Sequence, residues 1–161
     1  MRFALGCTVI AVALVATAAA PAKTVPQATY VRQADRICLD VAQRALALQR
    51  EARRRVGAST SDGQTFRIFS EIYRRQLTLI QSMRRRLVAI GVPGGAAATA
   101  RAFIGGIRDG EEALRQLIAA ADRRSKSAFT RAALRYRDVS LASAREVKRS
   151  GLGFTVCGTG V

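Results

Sequence analysis

Along four stretches of this chain, apolar residues recur at steps of three and four, the period of a helix that packs on one side. The first runs from about Thr29 to Val56, on Val31, Ala34, Cys38, Val41, Ala45 and Leu48. Gly57-Ala58-Ser59-Thr60-Ser61-Asp62-Gly63 then breaks the pattern with consecutive turn formers. The second runs from about Gln64 to Ile90, on Phe66, Phe69, Tyr73, Ile80, Met83, Leu87 and Ile90, widened by Ile72 and Leu77. Gly91-Val92-Pro93-Gly94-Gly95 ends it, because proline disfavours helical backbone in the residue before it. The third, from about Ala96 to Arg124, carries Phe103, Ile107, Leu114, Leu117, Ile118 and Ala121 on one side. Gly105, Gly106 and Gly110 lie inside it, each costing about 1 kcal/mol relative to Ala, and predict a close crossing by the second helix. The fourth, from about Lys126 to Arg149, uses Phe129, Ala132, Ala133, Tyr136, Val139 and Val147, with Gly151 placed to cap its C-terminus. No run of alternating Val, Ile or Thr argues for a sheet. Four helices joined by short loops predict an all-α fold, an antiparallel four-helix bundle.

The residues before these helices have a different pattern. Arg2, an uncharged run from Phe3 to Ala20 and small residues ending in Ala20-Pro21-Ala22 have the three-part form of a secretory signal. Residues 1–22 are therefore expected to be a signal peptide, with Lys23 opening a helical bundle domain over residues 23–161. An uncleaved N-terminal anchor is the alternative, since the apolar run is just long enough to span a membrane, but Ala, Val and Thr dominate it rather than Leu. Leu5-Gly6-Cys7 is not a lipobox, because the apolar run follows the cysteine instead of preceding it.

Removing the signal discards Cys7 and leaves Cys38 and Cys157. An even number of cysteines in an exported chain predicts a disulfide. Topology agrees: in an up-down-up-down bundle the start of the first helix and the end of the fourth share one end. The tail would fold back over that end on Leu152, Phe154 and Val156. Two thiolates without a third ligand make a poor zinc site, so neither a metal nor any other cofactor is expected.

Three short motifs stand out along the mature chain: Ala34-Asp35-Arg36-Ile37-Cys38, Leu87-Val88-Ala89-Ile90-Gly91-Val92-Pro93, and Gly151-Leu152 ahead of Cys157-Gly158. Together they resemble a group of small exported helical proteins of high-GC actinobacteria, uncharacterised, with an A-D-x-I-C start, a proline-ended second helix and a G-L-x(n)-C finish. The spacer between Leu152 and Cys157 is longer here than that pattern. The resemblance implies the bundle and the disulfide, and it carries no catalytic or ligand residues. Leu77-Thr78-Leu79-Ile80-Gln81 matches the L-T-x-x-Q signature of periplasmic stress chaperones. In those proteins the threonine caps a helix start, whereas here it falls about a dozen residues inside the second helix, as a chance match of three positions would.

Charge is the compositional extreme. The chain has 27 Lys and Arg against 11 Asp and Glu, a formal charge of +16, and no His. Without histidine there can be no histidine-dependent triad, no histidine-ligated metal and no c-type haem attachment. No Ser-x-x-Lys, P-loop or dinucleotide-binding glycine motif is present. The acids sit beside arginines at helical spacing (Asp35 with Arg32 and Arg36, Asp40 with Arg36 and Arg44, Glu111 with Arg115), which predicts surface pairs rather than a catalytic or metal site. An enzyme is not expected. Folding would gather cations at two ends. Arg50, Arg53, Arg54, Arg55, Arg123, Arg124, Lys126 and Arg131 fall at one, and Arg84, Arg85, Arg86, Arg145, Lys148 and Arg149 at the disulfide end. Three of these runs are expected to close helices, where cations complement the macrodipole. They are also candidates to bind an anionic envelope polymer or phospholipid surface. Specific nucleic-acid recognition is not expected: the signal directs the chain away from the genome, and aromatics for base stacking are sparse. The expected function is thus a non-enzymatic, strongly basic exported protein that associates with anionic cell-envelope components. The alternatives are a protein-interaction or chaperone-like module, its protein partner unknown, and a small-ligand carrier or enzyme with an unrecognised pocket.

Overall fold

The computed structural model describes residues 23–158, so the expected signal peptide and Cys7 lie outside the described residues. The chain forms four long helices: α1 (Gln27–Gly57), α2 (Asp62–Ile90), α3 (Ala97–Asp122) and α4 (Lys126–Arg149). All-α architecture is thus as the periodicity predicts, and the helix ends have local causes. Pro26 directly precedes α1, where its fixed φ and missing N–H cost nothing, and its carbonyl accepts from the Thr29 and Tyr30 amides at 3.0 Å. Ser61 and Ser125 cap α2 and α4, their hydroxyls accepting from the Gln64 and Ala128 amides. Such caps contribute about 1 kcal/mol each. Gly151 adopts φ +66 just after α4, the left-handed conformation that glycine takes without a Cβ penalty.

One element was not foreseen. Thr24–Val25 (β1) and Val92–Pro93 (β2) pair as a two-residue parallel ladder. The Val92 amide donates to the Lys23 carbonyl at 2.8 Å and the Gly94 amide to Val25 at 2.9 Å. A side chain at Gly91, φ +105, would collide with the Lys23 carbonyl. The glycine and proline that stop α2 therefore also seat the N-terminal segment. Such a ladder is too short to leave an alternating pattern.

The main helix contacts run α1 on α2, α2 on α3 and α3 on α4. At the disulfide end, Tyr30, Ala34 and Ile37 meet Leu87, Ile90, Ala100, Phe103, Ile107 and Val147 in one cluster. Farther along, Leu114, Leu117 and Ile118 pack against Tyr73, Phe129 and Tyr136, with Phe69 and Phe129 stacked at 5.1 Å. A third cluster, Leu48 with Ile68 and Ile72, holds α1 on α2. Helix α3 is the most buried of the four, and Leu114 and Leu117 are almost fully enclosed. Burying each such side chain contributes about 1.5–3 kcal/mol.

Two packing expectations need correction. The buried face of α1 keeps Ala34, Val41 and Leu48 as expected but adds Tyr30 and Ile37, whereas Val31, Cys38 and Ala45 are only half-buried at its margin. The close crossing at Gly106 is by α4, not α2: a Cβ there would meet Ser143 Oγ at 2.7 Å, while a Cβ on Gly105 or Gly110 would meet nothing within 4 Å. Gly105 points about 100° away from Gly106 and so leaves that crossing, whereas Gly110 shares the Gly106 face one turn on, where α4 no longer comes within 4 Å of such a Cβ.

Candidate anion-binding surface and the tail clamp

Cys38 and Cys157 are joined, with Cα atoms 5.4 Å apart and 119 residues between them in sequence. Three positions earlier on α1, Asp35 takes hold of the same tail. Its Oδ2 accepts from the Thr155 amide (2.9 Å) and hydroxyl (2.8 Å), and its Oδ1 from the Val156 (3.0 Å) and Cys157 (2.9 Å) amides. Residues at i and i+3 share a helix face, so Asp35 and Cys38 form one clamp. Ala34 and Ile37, each directly preceding one of the two in the motif, face the core. Partial burial by itself would raise the Asp35 carboxyl, but the hydrogen bonds from Cys157, Thr155 and Val156 outweigh it and hold it below the usual range. The arginine partners expected for Asp35 are absent among the described residues, because three consecutive tail amides offer aligned donors. Leu152 is buried, and Phe154 lies against Tyr30 and Phe103, so the tail covers this end of the core as expected.

The basic runs are divided by helix geometry. Arg84, Arg85 and Arg86 are consecutive, so they point around α2 rather than to one side. Arg84 donates to Glu111 on α3 at 2.6 Å, Arg86 to Asp40 on α1 at 2.6 Å, and Arg85 is exposed. The last turn of α2 holds no basic residue, so this run does not complement the α2 dipole; Arg54 and Arg55 in α1, and Lys148 and Arg149 in α4, do occupy last turns. Glu111 is also a correction. Its side chain is 3% exposed, buried between Arg84 and Arg115 rather than paired on the surface. Asp40 bonds Arg44, as expected, and Arg86 as well; the Arg86 hydrogen bond is the main reason its carboxyl lies below the usual range.

Arg55 is likewise committed, to Glu71 through two hydrogen bonds of 2.8 and 2.7 Å and to Glu51. Its neighbours are not. Arg50, Arg53, Arg54, Arg123, Arg124, Lys126 and Arg131 are exposed and make no ion pair among the described residues; the same holds for Arg85, Arg145, Lys148 and Arg149. Arg124 takes φ +53 in the α3–α4 turn, and its Nη1 would lie 3.7 Å from a Cβ on Gly63, which sets that turn against the first turn of α2. Both α2 and α4 begin here with serine-capped N-termini, so the positive ends of two helix dipoles add to the side-chain charges. Thr78 of the chaperone-like match bonds the Arg74 carbonyl at 3.1 Å in mid-helix and caps nothing.

Among the described residues, no group of three or more His, Cys, Asp or Glu is gathered where a metal could bind, and no helix is long and apolar enough to cross a membrane. No family model, no curated protein and no solved structure matches the chain.

Proposed function

We propose that this is a non-enzymatic exported protein that binds anionic cell-envelope components through its unpaired cations. The observation that carries this reading is the group Arg50, Arg53, Arg54, Arg123, Arg124, Lys126 and Arg131, all exposed and all without a carboxylate partner among the described residues. Asp40, Glu51, Glu71, Glu111, Glu112, Asp122 and Asp138 are already paired with other arginines, and no carboxylate forms an ion pair with this group among the described residues, so its charge favours an external counter-ion. Export is favoured by the disulfide, which persists in oxidising compartments, and by the resemblance to small exported actinobacterial proteins.

The helices are proposed to run antiparallel. Support comes from ion pairs between α1 and α2, where Arg55–Glu71, Glu51–Arg75 and Asp40–Arg86 step down one helix as they step up the other. In that arrangement the α1–α2 and α3–α4 connections share one end, which brings the two basic groups of that end onto one face of the molecule.

Each basic residue close to an anionic surface contributes about 1 kcal/mol, and screening shortens from about 10 Å at 0.1 M salt to about 3 Å at 1 M. Sedimentation with phosphatidylglycerol vesicles should therefore show tight binding at low salt, lost steeply as salt rises, and none to phosphatidylcholine vesicles. Arg123→Gln with Arg124→Gln should weaken binding about 30-fold. Equal binding to both vesicles, or salt-independent binding, would overturn the proposal.

A further inference from the structure

A groove of about 600 Å³ runs between the end of α2 and the first half of α3, within the size range of about 300–1,000 Å³ common for small-ligand sites. Leu87, Ala100 and Ile104 supply apolar lining, and Val88 at its edge is 56% exposed. Gly105 also lines it. A Cβ there would meet nothing within 4 Å, so this glycine, unlike Gly106, is not required by a helix crossing. What it does is keep the groove open, at a cost in helix propensity.

The charged residues that line this groove have one sign; Asp109, Glu111 and Glu112 lie in the adjoining depression beyond Gly105 and Arg108. Arg101 and Arg108 lie two turns apart on α3, on the face shared with Ile104 and Gly105, and Lys23 approaches from the N-terminal segment. All three are exposed and make no ion pair among the described residues, and no acidic residue lines the groove. Tyr30 lines it too. Its residue is 1% exposed, yet its hydroxyl has no hydrogen-bond partner among the described residues. Among the described residues no sealed side-chain polar atom lacks a partner, so that hydroxyl still reaches open space.

An apolar slot bordered by unpaired guanidinium groups suits a ligand with a hydrocarbon body and one acidic end. A planar carboxylate matches the arginine fork through paired hydrogen bonds. We propose that this groove binds a single-chain fatty-acid carboxylate, its chain along Leu87, Ile104 and Gly105 and its carboxylate on Arg101 and Arg108. The site is separate from the cation group at the α3–α4 turn, and it selects one molecule where that group meets an extended surface.

The test is displacement of a fluorescent polyene fatty acid from the full-length oxidised protein by palmitate, with hexadecanol as the uncharged analogue. Saturable one-to-one binding is expected. Gly105→Leu, which has space for its side chain, should keep the helical circular dichroism and weaken palmitate at least about tenfold. Arg101→Gln with Arg108→Gln should weaken palmitate about tenfold and hexadecanol little. Arg123→Gln with Arg124→Gln should leave palmitate binding unchanged while reducing vesicle binding, so the two proposals fail separately. Absence of saturable binding, an unaffected Gly105→Leu protein, equal affinity for hexadecanol and palmitate, or loss of palmitate in the Arg123 and Arg124 variant would each overturn the assignment.

Discussion

Replacing Asp35 with alanine removes the acceptor for four hydrogen bonds, three of them from consecutive backbone amides of the tail. Hydrogen bonds to a charged group contribute about 1.5–3 kcal/mol each when desolvated. Asp35 and Thr155 are partly open to water, which replaces part of what is lost, whereas the buried Cys157 amide has no such recourse. A total cost of about 2–3 kcal/mol follows, or a fall in Tm of about 10 °C for a domain of this size. The folded carboxyl lies below its ordinary value, so its contribution is complete above the unfolded pKa, about 3.9, and is lost as pH falls through the folded value. Urea unfolding of the oxidised protein at pH 7 should therefore separate wild type from Asp35→Ala by about 2–3 kcal/mol. As pH falls below the unfolded pKa the gap should narrow. Equal stability at pH 7, or a gap that persists unchanged at pH 2, would refute the clamp.

Reducing the disulfide, or making Cys38→Ala with Cys157→Ala, should cost about 4–5 kcal/mol by the chain-entropy argument for so long a loop, read as a lower urea midpoint. In that background the tail amides 155–157 should exchange with solvent faster than the core of α3. Gly105→Ala should raise stability by about 0.4–1 kcal/mol, since helix propensity improves and no atom is displaced. Gly106→Ala should gain less or lose stability, because Ser143 must move aside; thermal melts of the pair separate the two. Arg84→Ala leaves Glu111 buried with Arg115 alone, at 3.4 Å, and should cost about 2–3 kcal/mol in denaturant unfolding, less than a fully enclosed pair because Arg84 is itself 31% exposed.

Much of the fold was legible along the chain. The helices fall within a few residues of the periodic stretches, because an apolar stripe at helical spacing has one way to be buried. The pairing of Cys38 with Cys157 followed from counting and topology. Asp35 was misplaced because its neighbours in sequence are arginines, and its true partners lie 120 residues away. The spacing of Asp35 and Cys38 on one helix face was a readable sign of a shared task. The short ladder at Val92–Pro93 left no pattern to read, and Gly105 looked like Gly106 until the neighbouring helix was in place.

By itself the sequence determined the helical class, the disulfide and the excess of positive charge, since these depend on residue type and local period. Tertiary structure alone decided which charges remain free. Arg84, Arg85 and Arg86 are chemically alike and adjacent, yet one is half-buried against Glu111, one bonds Asp40 and one faces water. Opposite charges pair across helices according to the angle at which each residue leaves its axis, and that angle acquires meaning only when a second helix lies beside it.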